Sequence, residues 1–358
     1  MRVGLVIYGS LETISGGYLY DRKLVEHLQS RGDQVEIISL PWRNYIRHLG
    51  DNLAPAVERR LQQLRVDVLL EDELNHPSLF WVNRRLTGAY PVVSIIHHLR
   101  CSESRSAWQN RIYRQVERSY LKSVDGFIFN SQTTRQVVQD LIGDKKPSVV
   151  AFPAGDRFSP HISSDEIARR ACQPGPLRLL FLGNVIPRKG LHTLLEGLCL
   201  LPKDTWRLSV AGRLDIDHTY RDSIYRQVSR LGFSEQVVFL GPMEDAGLSE
   251  LLRTSQVLAL PSSYEGFGIA YLEGMGFGLP AIATSGGAAG EIITNGNNGF
   301  LVKPGDVLGL RDALQELANN RQRLLELSLA ARNRYESHPG WEQTGTSIRG
   351  FLEKFREA

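Results

Sequence analysis

Residues 261–280, "PSSYEGFGIAYLEGMGFGLP", set two carboxylates, Glu265 and Glu273, among the glycines Gly266, Gly268 and Gly274. Such a pattern suits acid–base catalysis, a metal ion or a phosphate-bearing ligand, and the spacing discriminates among them. On one helix, eight residues span about 12 Å and turn the second side chain about 80° from the first. Two carboxyls working across one glycosidic bond sit roughly 5–9.5 Å apart, so an acid–base pair is disfavoured. "QVLALPS" reads as a strand and "GIAYLEGM" as a helix. Glu265 is therefore expected in the loop before the helix and Glu273 in its second turn. The helix N-terminus near Phe267, Gly268 and Ile269 then points between them and favours an anion.

Three further loops carry charge or glycine at the end of an apolar run. "SLETISGGYLYDRKLVEHL" places Gly16 and Gly17 ahead of a helical pattern, where a phosphate could approach the backbone. "FLGNVIPRKGLHTLLEGL" places Arg188 and Lys189 before Gly190 and a helix, two cations suited to a pyrophosphate. "PVVSIIHHLR" ends on His97 and His98. Together with the two glutamates, these loops suit a ligand with an anionic middle and hydroxyls at both ends, the shape of a sugar nucleotide. Asp215-Ile216-Asp217, a D-x-D that could hold a metal on a diphosphate, falls in the loop after "RLSVAGRL".

The elements that position these loops alternate regularly. Twelve short runs rich in Val, Ile, Leu and Phe, from "RVGLVIYG" to "GFLVKP", recur between helical stretches. Their apolar character is continuous, which implies strands buried on both faces and hence parallel sheets. Residues 155–180 are rich in Pro, Gly and Ser, and strand–helix order restarts at Leu177. Two doubly wound domains are expected, 1–158 and 159–338, with a C-terminal helix 339–358 crossing back to the first, and with ligands at the carboxyl ends of the strands facing a central cleft.

Composition bounds the function. The chain has 358 residues, 42% hydrophobic and 23% charged, enough for two full cores. A net charge of +3 is too weak to argue for nucleic acid. Cys101, Cys172 and Cys199 are odd in number and irregularly spaced, which implies no disulfide framework or zinc set and fits a reducing cytosol. The start reads as a buried strand and no run approaches the roughly 20 residues of a membrane span.

The four loops in this order resemble those of the retaining glycosyltransferases of the GT-B fold, glycosyltransferase family 4. "SGGYLYDRKLVEHLQSRGDQVEII" resembles the family's glycine loop, first helix and second strand, and "LLFLGNVIPRKGLHTLLEGL" its pyrophosphate loop. The stretch from "VVFLGPM" to "SGGAAGEII" resembles its most specific block, in which Glu265 and Glu273 form the E-x7-E motif. The resemblance implies transfer of a sugar from a UDP- or GDP-sugar to an acceptor hydroxyl, with retention at the anomeric carbon. No metal and no bound cofactor are implied. It gives Glu265 and His97 to the sugar near the reacting carbon, Glu273 to the ribose and Arg188 and Lys189 to the diphosphate. The backbone at Phe267, Gly268 and Ile269 helps place the sugar, Gly16 and Gly17 let the first domain close over the donor, and the base lies near "FLGPM". The chain departs from the family's pattern at Asn184, at "FPAGDRF" and at the extra residue in "SGGAAGE" before Glu291.

A sugar-nucleotide epimerase of the same fold and a non-catalytic donor-binding protein are the alternatives. The acceptor is open. Residues 105–122 form an amphipathic helix with a basic line of Arg111, Arg114, Arg118 and Lys122, and with Trp108, Ile112 and Val116 on another face. It reads either as a solvated face or as a contact with an anionic membrane, placing the enzyme in the cytoplasm or at the inner membrane face.

Overall fold

The computed structural model describes residues 1–86, 88–103, 105–143 and 146–357. Its contacts divide the chain into two units, Met1–Pro153 with Pro339–Ala358, and Ala154–His338. Each of the twelve apolar runs contains a strand. Unit one holds β1 (Arg2–Tyr8), β2 (Gln34–Leu40), β3 (Val68–Asp72), β4 (Val92–Ile96), β5 (Gly126–Phe129) and β6 (Ser148–Val150). Unit two holds β7 (Leu177–Leu182), β8 (Trp206–Ala211), β9 (Val237–Gly241), β10 (Val257–Leu260), β11 (Ala281–Thr284) and β12 (Gly299–Val302).

Unit one is a six-stranded sheet in the order β2-β1-β3-β4-β5-β6, parallel at every pairing. Strand residues alternate between its faces, as a two-residue period requires. Val3, Leu5 and Ile7 pack with Val25 and Leu28 of helix Gly16–Ser30 and with Ile348 and Leu352 of helix Trp341–Glu357. Val6 and Tyr8 pack on the opposite face with Leu40, Leu79 and Phe129. Each such side chain removed from water contributes about 1.5–3 kcal/mol. At the sheet edge, β2 keeps Gln34, Glu36 and Ser39 in contact with solvent. The C-terminal helix lies close along helix Gly16–Ser30: a Cβ on Gly345 would meet His27 Cγ at 2.3 Å.

Unit two is also a six-stranded parallel sheet, ordered β12-β11-β10-β7-β8-β9. Counted from β7, this is the 3-2-1-4-5-6 order of a dinucleotide-binding fold. The winding reverses between β7 and β10 here, and between β1 and β3 in unit one. At such switch points the loops after neighbouring strands diverge and leave a crevice at the carboxyl ends. Helix Leu191–Cys199 covers one face through Leu191, Leu194, Leu195 and Leu198, an i, i+3, i+4, i+7 stripe.

The turn between β7 and that helix depends on Gly190. Its φ is +73°, and a Cβ there would lie 2.2 Å from the Pro261 carbonyl oxygen. The loop after β7 therefore touches the loop after β10, and an alanine at 190 would force them apart.

Candidate active site

Unit two gathers its ionisable groups at the switch point between β7 and β10. After β7, the short 3-10 turn Pro187–Lys189 presents Arg188 and Lys189. After β10, Ser262 and Glu265 lie in the loop before helix Ile269–Gly276. Lys189 Nζ donates to Glu265 Oε1 at 2.5 Å, and Ser262 Oγ donates to the same oxygen at 2.6 Å. Arg188 Nη1 lies 3.6 Å from Glu265 Oε2 and donates to the Tyr264 carbonyl at 2.7 Å. Burial alone would raise the Glu265 carboxyl. The charges of Lys189 and Arg188 and the hydrogen bonds from Lys189 and Ser262 override it and pull the group down to about 2. Glu265 is thus a buried carboxylate, charged at neutral pH, with cations at its edge.

The backbone of the Glu265 loop is fixed from outside. Glu265 N donates to Gly286 O at 3.0 Å and Ala288 N donates to Glu265 O at 2.8 Å. A Cβ on Gly287, at φ +82°, would sit 2.1 Å from that same oxygen. Gly268, at φ +102°, is the N-cap of the helix and supplies no side-chain cap. Tyr271 N donates to Gly268 O at 2.9 Å, which leaves the first two amides of the helix, at Ile269 and Ala270, for a ligand or water. Phe267 is buried beside His338, ring centroids 5.8 Å apart.

Glu273 is the fifth residue of the helix and is buried. Its Oε1 has no hydrogen-bond partner. Arg157 Nη1 stands 3.7 Å away and holds Asp245 in an ion pair. Burial is the largest influence on Glu273 and pushes its carboxyl up to about 7, against the pull of Arg157. The two glutamates of one loop-and-helix segment thus have opposite character. Sequence reasoning missed Ser262, Arg157 and Asp245. The signal for Arg157 was its position in "FPAGDRF", the departure in the linker.

Asp215 and Asp217 are occupied by local structure. Asp215 pairs with Arg213 at 2.8 Å, and Asp217 caps helix His218–Leu231 by accepting from Tyr220 N at 2.9 Å. Asn184 Oδ1 accepts from Arg213 N at 3.3 Å.

In unit one the polar groups sit at the carboxyl ends of β1, β3 and β4. Ser15 caps helix Gly16–Ser30 by accepting from Tyr18 N at 3.2 Å, so Gly16 and Gly17 are its first two residues and not a loop ahead of it. A Cβ on Gly17 would lie 3.1 Å from His97 Cδ2, which makes Gly17 the residue that lets the helix close on the imidazole. His97 Nε2 lies 3.3 Å from Asp21 Oδ1, and His97 N donates to Glu73 Oε2 at 3.0 Å. His98 instead pairs with Glu103 at 2.8 Å.

Asp21, Asp72 and His97 each offer a ligand-type atom within 4.8 Å of the others, and all three are buried. Burial first, and then for Asp72 the charge of Asp21, pushes both carboxyls up to about 7. Burial pulls His97 down, opposed by Asp72. Burial and the charge of Asp72 raise Glu73 well above the carboxylate range.

Two doubly wound parallel sheets, with a cation–carboxylate pair and an uncapped helix N-terminus at the switch point of the second, define a GT-B glycosyltransferase. The glycosyl transferases group 1 family matches residues 164–334 and glycosyltransferase family 4 matches residues 20–153. The chain belongs to glycosyltransferase family 4. A phosphatidyl-myo-inositol mannosyltransferase of Mycobacterium leprae is 27% identical over 94% of this chain and 93% of its own. Sucrose-phosphate synthase of Thermosynechococcus elongatus superposes with a TM-score of 0.84 at 19% identity, covering 99% of this chain and 98% of that one. HepE of Anabaena, solved with UDP-glucose, superposes with a TM-score of 0.78 at 18% identity, covering 99% and 100%.

Proposed function

We propose that the chain transfers a hexosyl group from a UDP- or GDP-sugar to an acceptor hydroxyl with retention of anomeric configuration, in the synthesis of a glycan, glycolipid or polysaccharide. The observation that supports this most is the buried Lys189–Glu265 pair beside the open amides of helix Ile269–Gly276. Arg188, Lys189 and those amides offset charge on the departing diphosphate, as metal-independent transfer requires. No cofactor is needed. Phe267, Gly268 and Ile269 line the sugar end. Glu265 takes the donor sugar hydroxyls near the reacting carbon, and His97 contacts the same sugar. Gly16 and Gly17 are the unit-one contacts to the donor. Glu273 accepts from the ribose hydroxyls, which would give its orphaned Oε1 a partner. The base lies by the end of β9 and Met243. The structure of HepE holds UDP-glucose and the Mycobacterium leprae relative is a mannosyltransferase, which supports a nucleotide-sugar reading of this site.

Membrane contact is part of the proposal. No helix among the described residues is long and apolar enough to cross a membrane. Trp108 is 66% exposed and Ile112 47% exposed on helix Ala107–Leu121, beside exposed Arg111. Trp42, Arg43, Ile46 and Arg47 are also exposed, on and just before helix Tyr45–Asp51. Tyr45 and Tyr113, 4.8 Å apart, join the two segments. Tryptophan and isoleucine among arginines suit an anionic lipid surface, at the inner face of the cytoplasmic membrane.

Incubation with UDP-, GDP- and ADP-sugars and a panel of hydroxyl acceptors tests the reading. Nucleotide release that needs acceptor, with NMR showing the donor's anomeric configuration kept, supports it. An inverted centre rejects retention, an isomerised sugar indicates the epimerase, and binding without turnover indicates a donor-binding protein.

A further inference from the structure

His97 is held on every side but one. Its amide donates to Glu73 Oε2 at 3.0 Å and its carbonyl accepts from Asn130 Nδ2 at 2.7 Å. The Tyr20 ring stands edge-on to the imidazole, centroids 5.2 Å apart, and Gly17 packs against Cδ2. Nε2 meets Asp21 Oδ1 at 3.3 Å. Nδ1 is the ring's open position, on a side chain that is 10% exposed.

Behind Asp21 lies Asp72. Asp72 Oδ1 accepts from Leu74 N at 2.7 Å, but Asp72 Oδ2 and Asp21 Oδ2 are both buried without a partner. Two such carboxylates side by side cannot both stay ionised. One proton shared between them removes the repulsion and satisfies both orphaned oxygens. The pair then carries one negative charge, which Asp21 Oδ1 presents to His97.

We propose that Asp21, backed by a proton shared with Asp72, is a positioning residue for His97: it holds the imidazole as the neutral Nε2–H tautomer, so that Nδ1 is a hydrogen-bond acceptor for a sugar hydroxyl. The proton on Nε2 is spoken for by Asp21, and Nδ1 carries a lone pair, so His97 accepts and does not act as an acid at neutral pH. The charged groups packed around it agree. Helix Gly16–Ser30 brings Asp21 and the cation Arg22, whose guanidinium turns away to the Leu11 carbonyl, and Tyr18 and Tyr20, both held neutral by burial. The end of β3 brings Asp72 and Glu73.

The role of His97 toward a sugar rests on the proposed transferase reading; its tautomer does not. Long-range 15N–1H spectra of the protein labelled with 15N-histidine, with His97→Gln to assign the signal, should show a neutral Nε2–H ring for His97 from pH 6 to 8. An Nδ1–H or charged His97 in the wild type overturns the inference, whether or not any variant folds. In Asp21→Asn the amide can turn its NH2 toward Nε2 and drive the ring proton to Nδ1. Turnover of whichever UDP- or GDP-sugar the wild type uses should then fall roughly 10- to 100-fold, with the affinity for free UDP or GDP unchanged. An unchanged tautomer and unchanged turnover in a folded Asp21→Asn also overturn it. If no donor is turned over by the wild type, the transferase reading fails while the spectra still decide the tautomer.

Discussion

Lys189 Nζ and Glu265 Oε1, 76 positions apart in the chain, meet at 2.5 Å across the point where the second sheet reverses its winding. The contact exists because Gly190 lets the loop after β7 touch Pro261 in the loop after β10. Lys189→Met leaves the buried Glu265 carboxylate with Ser262 and, at 3.6 Å, Arg188, and should destabilise the protein by about 3 kcal/mol. The double variant Lys189→Met/Glu265→Leu should recover most of that stability and none of the activity. Urea denaturation of the three proteins measures the first effect and donor turnover the second.

Glu273 predicts a pH dependence of donor binding. Its carboxyl is held up to about 7, and only the ionised form accepts from two ribose hydroxyls. Affinity for UDP or GDP, followed by calorimetry, should rise as pH climbs through about 7 and level off above. Glu273→Gln should flatten the profile and weaken binding roughly 10-fold, about 1.4 kcal/mol. A profile unchanged by the substitution would remove Glu273 from the ribose site.

The same two glutamates predict opposite linkages to stability. Glu265 has a folded value below its ordinary 4.5, so its contribution is present above 4.5 and is lost as pH falls toward about 2. Glu273 has a raised value, so its contribution is full below 4.5 and is lost as pH rises through about 7. Denaturation midpoints of Glu265→Gln and Glu273→Gln, compared with the wild type, should therefore diverge in different pH windows.

Gly287→Ala tests the positioning of Glu265 without touching its carboxylate. The new Cβ would sit 2.1 Å from the Glu265 carbonyl in a residue at φ +82°. Stability should drop by about 1–3 kcal/mol, and turnover should fall more than nucleotide affinity does. Equal losses in both would show that the loop does not aim Glu265 at the sugar.

Membrane contact predicts that the protein sediments with anionic vesicles at low salt and not with neutral ones. Trp108→Ala/Ile112→Ala should abolish sedimentation and leave thermal stability within about 0.5 kcal/mol, because both residues are exposed. Retained sedimentation would assign these residues to another surface.

The strands were legible in the sequence because eight of the twelve are buried over most of their length, and a continuous apolar stretch has few other uses. Glu265 and Glu273 were legible because a loop and a helix lie next to each other in the chain. Long-range pairs were not. Nothing local announces that Asp21 will face Asp72 and His97, or that Arg157 will stand beside Glu273, because strand order decides which loops become neighbours. Helix Ala107–Leu121 shows the limit of periodicity from the other side. Trp108 and Ile112 recur at the spacing of a core stripe, but the buried face is Glu117, Tyr120 and Leu121. Glu117 is inside because its carboxylate accepts from the amides of Arg100 and Cys101 at 2.5 and 3.1 Å.

The central claim is that unit two binds a nucleotide diphosphate sugar through Arg188, Lys189 and Glu273. Thermal unfolding of the wild type, Lys189→Ala and Glu273→Ala in a series of UDP-, GDP- and ADP-sugars tests it most directly. One nucleotide class should raise the wild-type midpoint with concentration, by about 2.7 kcal/mol at 100 times its Kd, and raise either variant's far less. A wild type that no nucleotide sugar stabilises at millimolar concentration, or variants stabilised as much as the wild type, would contradict it.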